Sequence, residues 1–203
     1  TINNGVFTGF SGTSSGTFNM STFNIPNGTF IANDSNGITN FNVSGVTTIG
    51  TDGQFIASNN AGTVNFIVNA VTLNGNGALT LINSANSGNV TMDFAGTNRS
   101  LTLNGTSTLA LETVSSPGVA VINISNDFIC NSTATPAVDF GTGAVTGNLI
   151  SLKRNFTKTG NGLITTSSTT NAATGFVFSG DVQSINFGGT TPSSGVNYTA
   201  NNT

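Results

Sequence analysis

The chain has 203 residues, of which 5% are charged, with a formal net charge of −3 and no histidine or tryptophan. That length can bury a real core in one domain or two small ones, but four basic residues in all exclude the broad cationic face that nucleic acids require. Without histidine, and with a single cysteine, an ordinary zinc site and an intrachain disulfide are excluded too.

Short apolar runs recur along the chain, so it reads as folded, with a surface of Asn, Thr, Ser and Gly in place of ions. Such a surface responds weakly to pH and salt, which suits an exposed location. The helix formers Lys, Arg and Glu are scarce, and every predicted element is a strand. The first forty residues carry Phe7, Phe10, Phe18, Phe23 and Phe30 between polar stretches. Residues 1–40 are expected to cap an open end of the fold, or to donate a strand to a neighbouring subunit. These phenylalanines are the candidate assembly residues.

A repeat follows. FNVSG 41–45 matches VTLNG 71–75, and ASNNAGTVNFIV 57–68 aligns with NSANSGNVTMDF 83–94. The second alignment sets Ser58 on Ser84, Gly62 on Gly88, Val64 on Val90 and Val68 on Phe94. VTLNGNGALTLINSANSG 71–88 returns without a gap as LTLNGTSTLALETVSSPG 101–118. Leu73 then falls on Leu103, Asn74 on Asn104, Gly75 on Gly105, Leu79 on Leu109 and Leu81 on Leu111. Cys130, in the apolar run VINISNDFICN, is expected to be a small buried residue. Lys153, Arg154 and Lys158 read as a solvated loop or strand edge. FTKTGNGLIT 156–165 echoes residues 71–80, and NAATGFVFSG 171–180 echoes residues 86–96. The stretch 188–203, GGTTPSSGVNYTANNT, reads as a flexible or exchanged tail.

The repeated unit is an alternating strand ending in Asn/Ser-Gly, a second short strand, a turn ending in Gly, and a third strand. It predicts an all-β fold, a parallel β-helix over residues 41–187 with coils ~4.8 Å apart. Leucines pile up inside. Asn74 and Asn104 ladder at a corner, and Gly75 and Gly105 make its tight turn. Roughly seven coils would reach about 33 Å. An antiparallel β-sandwich of pilin type, its repeat made by hairpins, is the rival fold.

TKTGNGLITTSSTTNAATGFVFSG 157–180 resembles the β-strand repeat of autotransporter passenger domains: Lys-Thr-Gly, a small residue, Gly, an alternating strand, then an Asn/Thr-rich turn. LNGNGALTLINSANSG 73–88 resembles it more weakly. The resemblance implies a secreted β-helical stalk displaying an adhesive surface outside a Gram-negative cell.

The acids Asp34, Asp52, Asp93, Glu112, Asp127, Asp139 and Asp181 are scattered. In register Asp93 meets Asn123 and Glu112 meets Ile82, so no carboxylates converge for glycosidic chemistry. No catalytic residue, metal or cofactor is expected. Twelve Asn-x-Ser/Thr triplets are present, and those at Asn19, Asn27, Asn33, Asn98 and Asn197 are the candidate glycosylation sites. Asn104 and Asn123 fall at repeat positions too enclosed for a sugar. No apolar run approaches the ~20 residues of a spanning helix, so membrane insertion is not expected. The reading is an extracellular, cell-surface structural protein whose partner is itself. It would build a fibre or surface layer through strand edges or ends. The alternative is an adhesin or carbohydrate-binding module facing host or environmental glycans. Ice binding would need a flat rank of threonines, of which VTT 46–48, VT 71–72 and LT 101–102 supply part.

Overall fold

Alternation of apolar and polar residues sets the local structure. In TVNFIVNAVTL 63–73, Val64, Phe66 and Val68 turn inward while Asn65 and Ile67 turn out, the two-residue period of a strand with one buried face. The computed structural model describes residues 1–96, 99–141, 147–166, 174–180, 183–188 and 196–201. Every regular element among them is a strand. β1 (Asn3–Gly12), β2 (Gly16–Met20), β3 (Phe23–Ser35), β4 (Ile38–Ser58) and β5 (Thr63–Leu73) come first. Shorter strands follow, from Ala78–Ile82 to Asn197–Ala200. β4 is the longest because it runs through two corners without losing its hydrogen bonds.

All pairings are parallel. They form three columns. The first stacks Phe23–Ile25, Thr47–Ile49, Val71–Leu73, Leu101–Leu103, Phe128–Cys130 and Phe156–Lys158, then Ile185–Asn186. The second stacks Val6–Thr8, Thr29–Ile31, Gln54–Ile56, Ala78–Thr80 and Thr108–Ala110, then Val138–Asp139 and Ile164–Thr165. The third runs from Gly16–Met20 through Thr39–Val43, Val64–Val68, Val90–Phe94, Ala120–Ile124, Leu149–Leu152 and Gly175–Phe178 to Asn197–Ala200. The result is a three-sided parallel β-solenoid of about seven turns. The antiparallel sandwich is thereby excluded.

The repeat alignment holds where it crosses one coil. Leu73 pairs with Leu103, Leu79 with Leu109, Val64 with Val90 and Val68 with Phe94. Two matches shift. Ser58 lies on Ile82 and not on Ser84, because the corner before Val90 is longer than the one before Val64. FNVSG 41–45 belongs to the third column, stacked on Phe66–Val68, while VTLNG 71–75 belongs to the first. The two look alike because each is an apolar-x-apolar strand running into a polar-Gly corner.

Residues 1–40 stack in the same columns, Phe7 on Phe30 and Phe18 on Phe41. At the other end Tyr198 stacks on Phe176. The inward side chains make one continuous core, aromatic towards both ends and, apart from Phe94, aliphatic from Val71 to Ile124.

Candidate functional site

The repeated Asn-Gly corners hold the stack together. Asn104 Nδ2 donates to Asn74 Oδ1 at 3.1 Å and Asn131 Nδ2 donates to Asn104 Oδ1 at 3.0 Å. Thr159 Oγ1 adds a further rung on Asn131. Each amide gives a proton to the coil below and accepts one from above, so the half-buried polar groups are satisfied along the axis. Gly75 and Gly105 have φ of 57° and 69°, and a Cβ on Gly105 would sit 3.1 Å from the Gly75 Cα. Only glycine takes that backbone at no steric cost. Amide-to-amide bonds without the glycine turn also join Asn42 to Asn19 and Asn65 to Asn40 on outward strand faces, and Asn83 to Asn59 beyond strand ends.

At the amino-terminal end lies an apolar hollow of about 280 Å³ lined by Ile2, Phe7, Phe18, Met20, Phe23 and Phe30. Phe23 and Phe30 form its buried floor, while Phe7 is 49% exposed and the neighbouring Val6 70%. Phe10 does not line it. Its ring packs beside Phe18 with centroids 4.8 Å apart. β1 and β2 each pair on one side only, with β3 and β4, so their other backbone edge is unpaired among the described residues.

The charged residues fall into two kinds. Glu112 is 1% exposed. Its Oε1 accepts from the Ser116 N–H at 2.6 Å and its Oε2 from Asn148 Nδ2 at 2.9 Å. Asn148 also donates to the Phe140 carbonyl and accepts from the Ala120 N–H. The buried carboxylate therefore clamps a corner. Glu112 pairs with Ile82, as the repeat register predicts, while its partner Asn148 lies 36 positions away with no sequence signal to link the two. Among the described residues no three metal-ligating side chains converge.

Lys158 corrects an expectation. It is 3% exposed and stacks under Cys130 in an inward position, with Nζ donating to the Gly160 carbonyl at 2.6 Å. Strand alternation forces the side chain inside, and its length lets the ammonium reach a backbone acceptor at the corner. Cys130 is buried as expected, and desolvation pushes its thiol above the ordinary value. Lys153 and Arg154 are exposed, and the cation that joins them is Arg99, two coils away.

The sequons separate by environment. Asn19 and Asn27 are exposed side chains bonded to Asn42 and Asn4. Asn33 is fully buried, its Nδ2 on the Gly37 carbonyl and its Oδ1 accepting from the backbone N–H and the hydroxyl of Ser35. A glycan does not fit there. Asn197 is half-buried with its Nδ2 on the Thr174 carbonyl, and Asn98 lies outside the described residues. Asn104 and Asn123 use their Nδ2 in the stack. Thr48, Thr72, Thr102 and Thr157 do share an outward line, but Ile129 interrupts it.

Comparison with protein-family models, with curated proteins and with solved structures gives no match to this chain.

Proposed function

We propose that this chain is an extracellular structural element, a charge-poor β-solenoid that associates end to end into a filament at the cell surface, in the manner of a secreted β-helical stalk. The observation that carries the reading is the apolar hollow beside the unpaired edges of β1 and β2. A further rung laid there would extend both the backbone ladder and the ring stack. A second copy supplies such a rung, and because its two ends differ the contact is head-to-tail, which propagates without closing. Among the described residues the third column runs from Phe18 to Tyr198, aromatic on both sides, so contact between those two faces would continue the interior.

Electron microscopy of the purified chain at rising concentration tests this. Filaments as wide as one solenoid are expected, and monodisperse short rods at every concentration would refute the proposal. Val6→Lys with Phe7→Asp should abolish growth while lowering the melting temperature only by the loss of the one ring contact that half-buried Phe7 makes on Phe30. The alternative, a glycan-binding surface, is favoured by one polar corner of the side wall.

A further inference from the structure

Three of the four basic residues of the chain, Arg99, Lys153 and Arg154, meet at one corner of the solenoid. Arg99 comes from the corner before Leu101 and Lys153–Arg154 from the corner before Phe156, with Ser125–Asn126 on the coil between. Arg99 and Arg154 are therefore two rungs apart, about 10 Å, and line the same depression of about 260 Å³ with Ser125 and Asn126. A second depression of about 350 Å³ adjoins it through Ser125 and carries Asp93, Asn123, Ser151 and Lys153.

The two arginines are held in place. Arg154 Nη1 donates to Asn126 Oδ1 at 2.8 Å, and Asn126 Nδ2 donates to Ser100 Oγ at 3.1 Å. Gln183 Nε2 ties down the loop through the carbonyls of Leu152 at 2.6 Å and Arg154 at 2.9 Å. Arg99 Nε donates to the Gly96 carbonyl, and its backbone takes a φ of 36°, a left-handed conformation that non-glycine residues seldom adopt. None of the three cations makes an ion pair among the described residues. Gathering like charges on a scaffold otherwise almost free of charge is unfavourable by itself, and an anion seated between them relieves it.

We propose that this corner binds an acidic oligosaccharide, its carboxylate or sulfate between Arg99 and Arg154 and its hydroxyls over the adjoining depression. Two guanidinium forks match the planar or tetrahedral oxygens of such groups. Asp93 spends one oxygen on Asn123 Nδ2 at 2.7 Å, and its other oxygen and the Ser151 hydroxyl complement sugar hydroxyls. The alternatives fit less well. The one aromatic residue lining the depressions, Phe94, is turned into the core and only 2% exposed, so no ring face is offered for stacking a base. The wall strands here pair on both sides, leaving no edge for a peptide. The site lies on the side wall and stands apart from end-to-end growth, so either proposal can fail alone.

Calorimetric titration of the whole chain in low-salt buffer with trigalacturonate, a sulfated dextran oligomer and neutral maltotriose decides it. At least one acidic probe should bind, more weakly as salt rises, and maltotriose should not. The stronger of the two acidic probes identifies the group the site prefers. Arg99→Ala with Arg154→Ala should weaken binding about tenfold or more, the loss of a charge-assisted contact, with an unchanged circular dichroism spectrum. Asp93→Asn should weaken trigalacturonate without altering competition by inorganic sulfate. Retention of full affinity by the double arginine variant, equal binding of maltotriose, or displacement by inorganic sulfate as effective as by the saccharide would each overturn the proposal.

Discussion

In the coils between Phe23 and Val68 the second and third columns are filled by rings. Phe30 and Phe55 stack in one, Phe41 and Phe66 in the other, and Phe23 packs against Phe30, Phe41 and Phe55. In the coils between Val71 and Ile124 the same places hold Leu79 and Leu109, and Met92 and Ile122. The backbone is the same in both. The rings, however, do not stack as copies. Their planes cross at angles from 36° for Phe30–Phe55 to 87° for Phe55–Phe66, the edge-to-face preference of aromatic quadrupoles. Aliphatic side chains tolerate simple translation, so the central coils can repeat their letters. Corner length differs as well. The bond Asn83–Asn59 spans 24 positions and Asn104–Asn74 spans 30. Literal repetition thus marks where the packing is translational, and says little about where the fold starts.

The largest test of that contrast is Phe41→Ala against Leu103→Ala. Phe41 meets the rings of Phe18, Phe23, Phe30, Phe55 and Phe66, and its removal should cost about 3–5 kcal/mol, against about 2–5 kcal/mol for the leucine. Stability in a stacked array is largely a sum over neighbours. Hydrogen exchange should therefore accelerate from Phe23 to Val68 in the first variant and from Val71 to Ile124 in the second. Equal acceleration along the whole chain would show a single cooperative unit instead.

A smaller effect separates crowding from backbone strain. Gly105 and Gly12 have similar φ, 69° and 73°, but a Cβ meets Gly75 at the first and nothing within 4 Å at the second. Gly105→Ala should cost about 2–3 kcal/mol and Gly12→Ala about 1 kcal/mol by chemical denaturation. Equal losses would mean that the corners are not in contact.

Residues 71–118 made the coil legible because Leu73, Asn74, Gly75 and Leu79 recur unchanged in the next one. Where identities change between coils, register depends on corner length, and sequence matching failed at Ser58 and at 41–45 for that reason. Of the five phenylalanines singled out near the start, four line the hollow and Phe10 supports it from the side. Lys158 was misplaced because a cluster of three nearby cations looks solvated, while strand alternation turns the third one inward. The corner that holds Arg99 beside Arg154 was not legible at all. Its members lie on different coils, and only the stacking register brings them together.

The smallest expected effect concerns the far end of the aromatic interior. Burial pushes the Tyr198 phenol from 10.0 up to about 12, and its hydroxyl has no hydrogen-bond partner among the described residues. Between those values the folded chain keeps a proton that the unfolded chain has released. The contribution is therefore fully present below pH 10 and is lost as pH rises towards about 12. Melting temperature should fall over that range in the parent chain and fall less in Tyr198→Phe, which should be no less stable at neutral pH. Identical alkaline profiles would place the loss elsewhere.

The parallel columns also fix how the molecule bears a load. Each inter-strand hydrogen bond points along the axis, and each strand pairs only with the coils above and below it, so tension applied to the two ends opens one rung at a time and never shears many bonds together. A coil that peels away frees between 22 and 30 residues, about 70–105 Å of extended chain, while the stack loses only ~4.8 Å of height. A rod built this way yields gradually over many times its own length, and each coil it sheds leaves behind the same kind of unpaired parallel backbone edge.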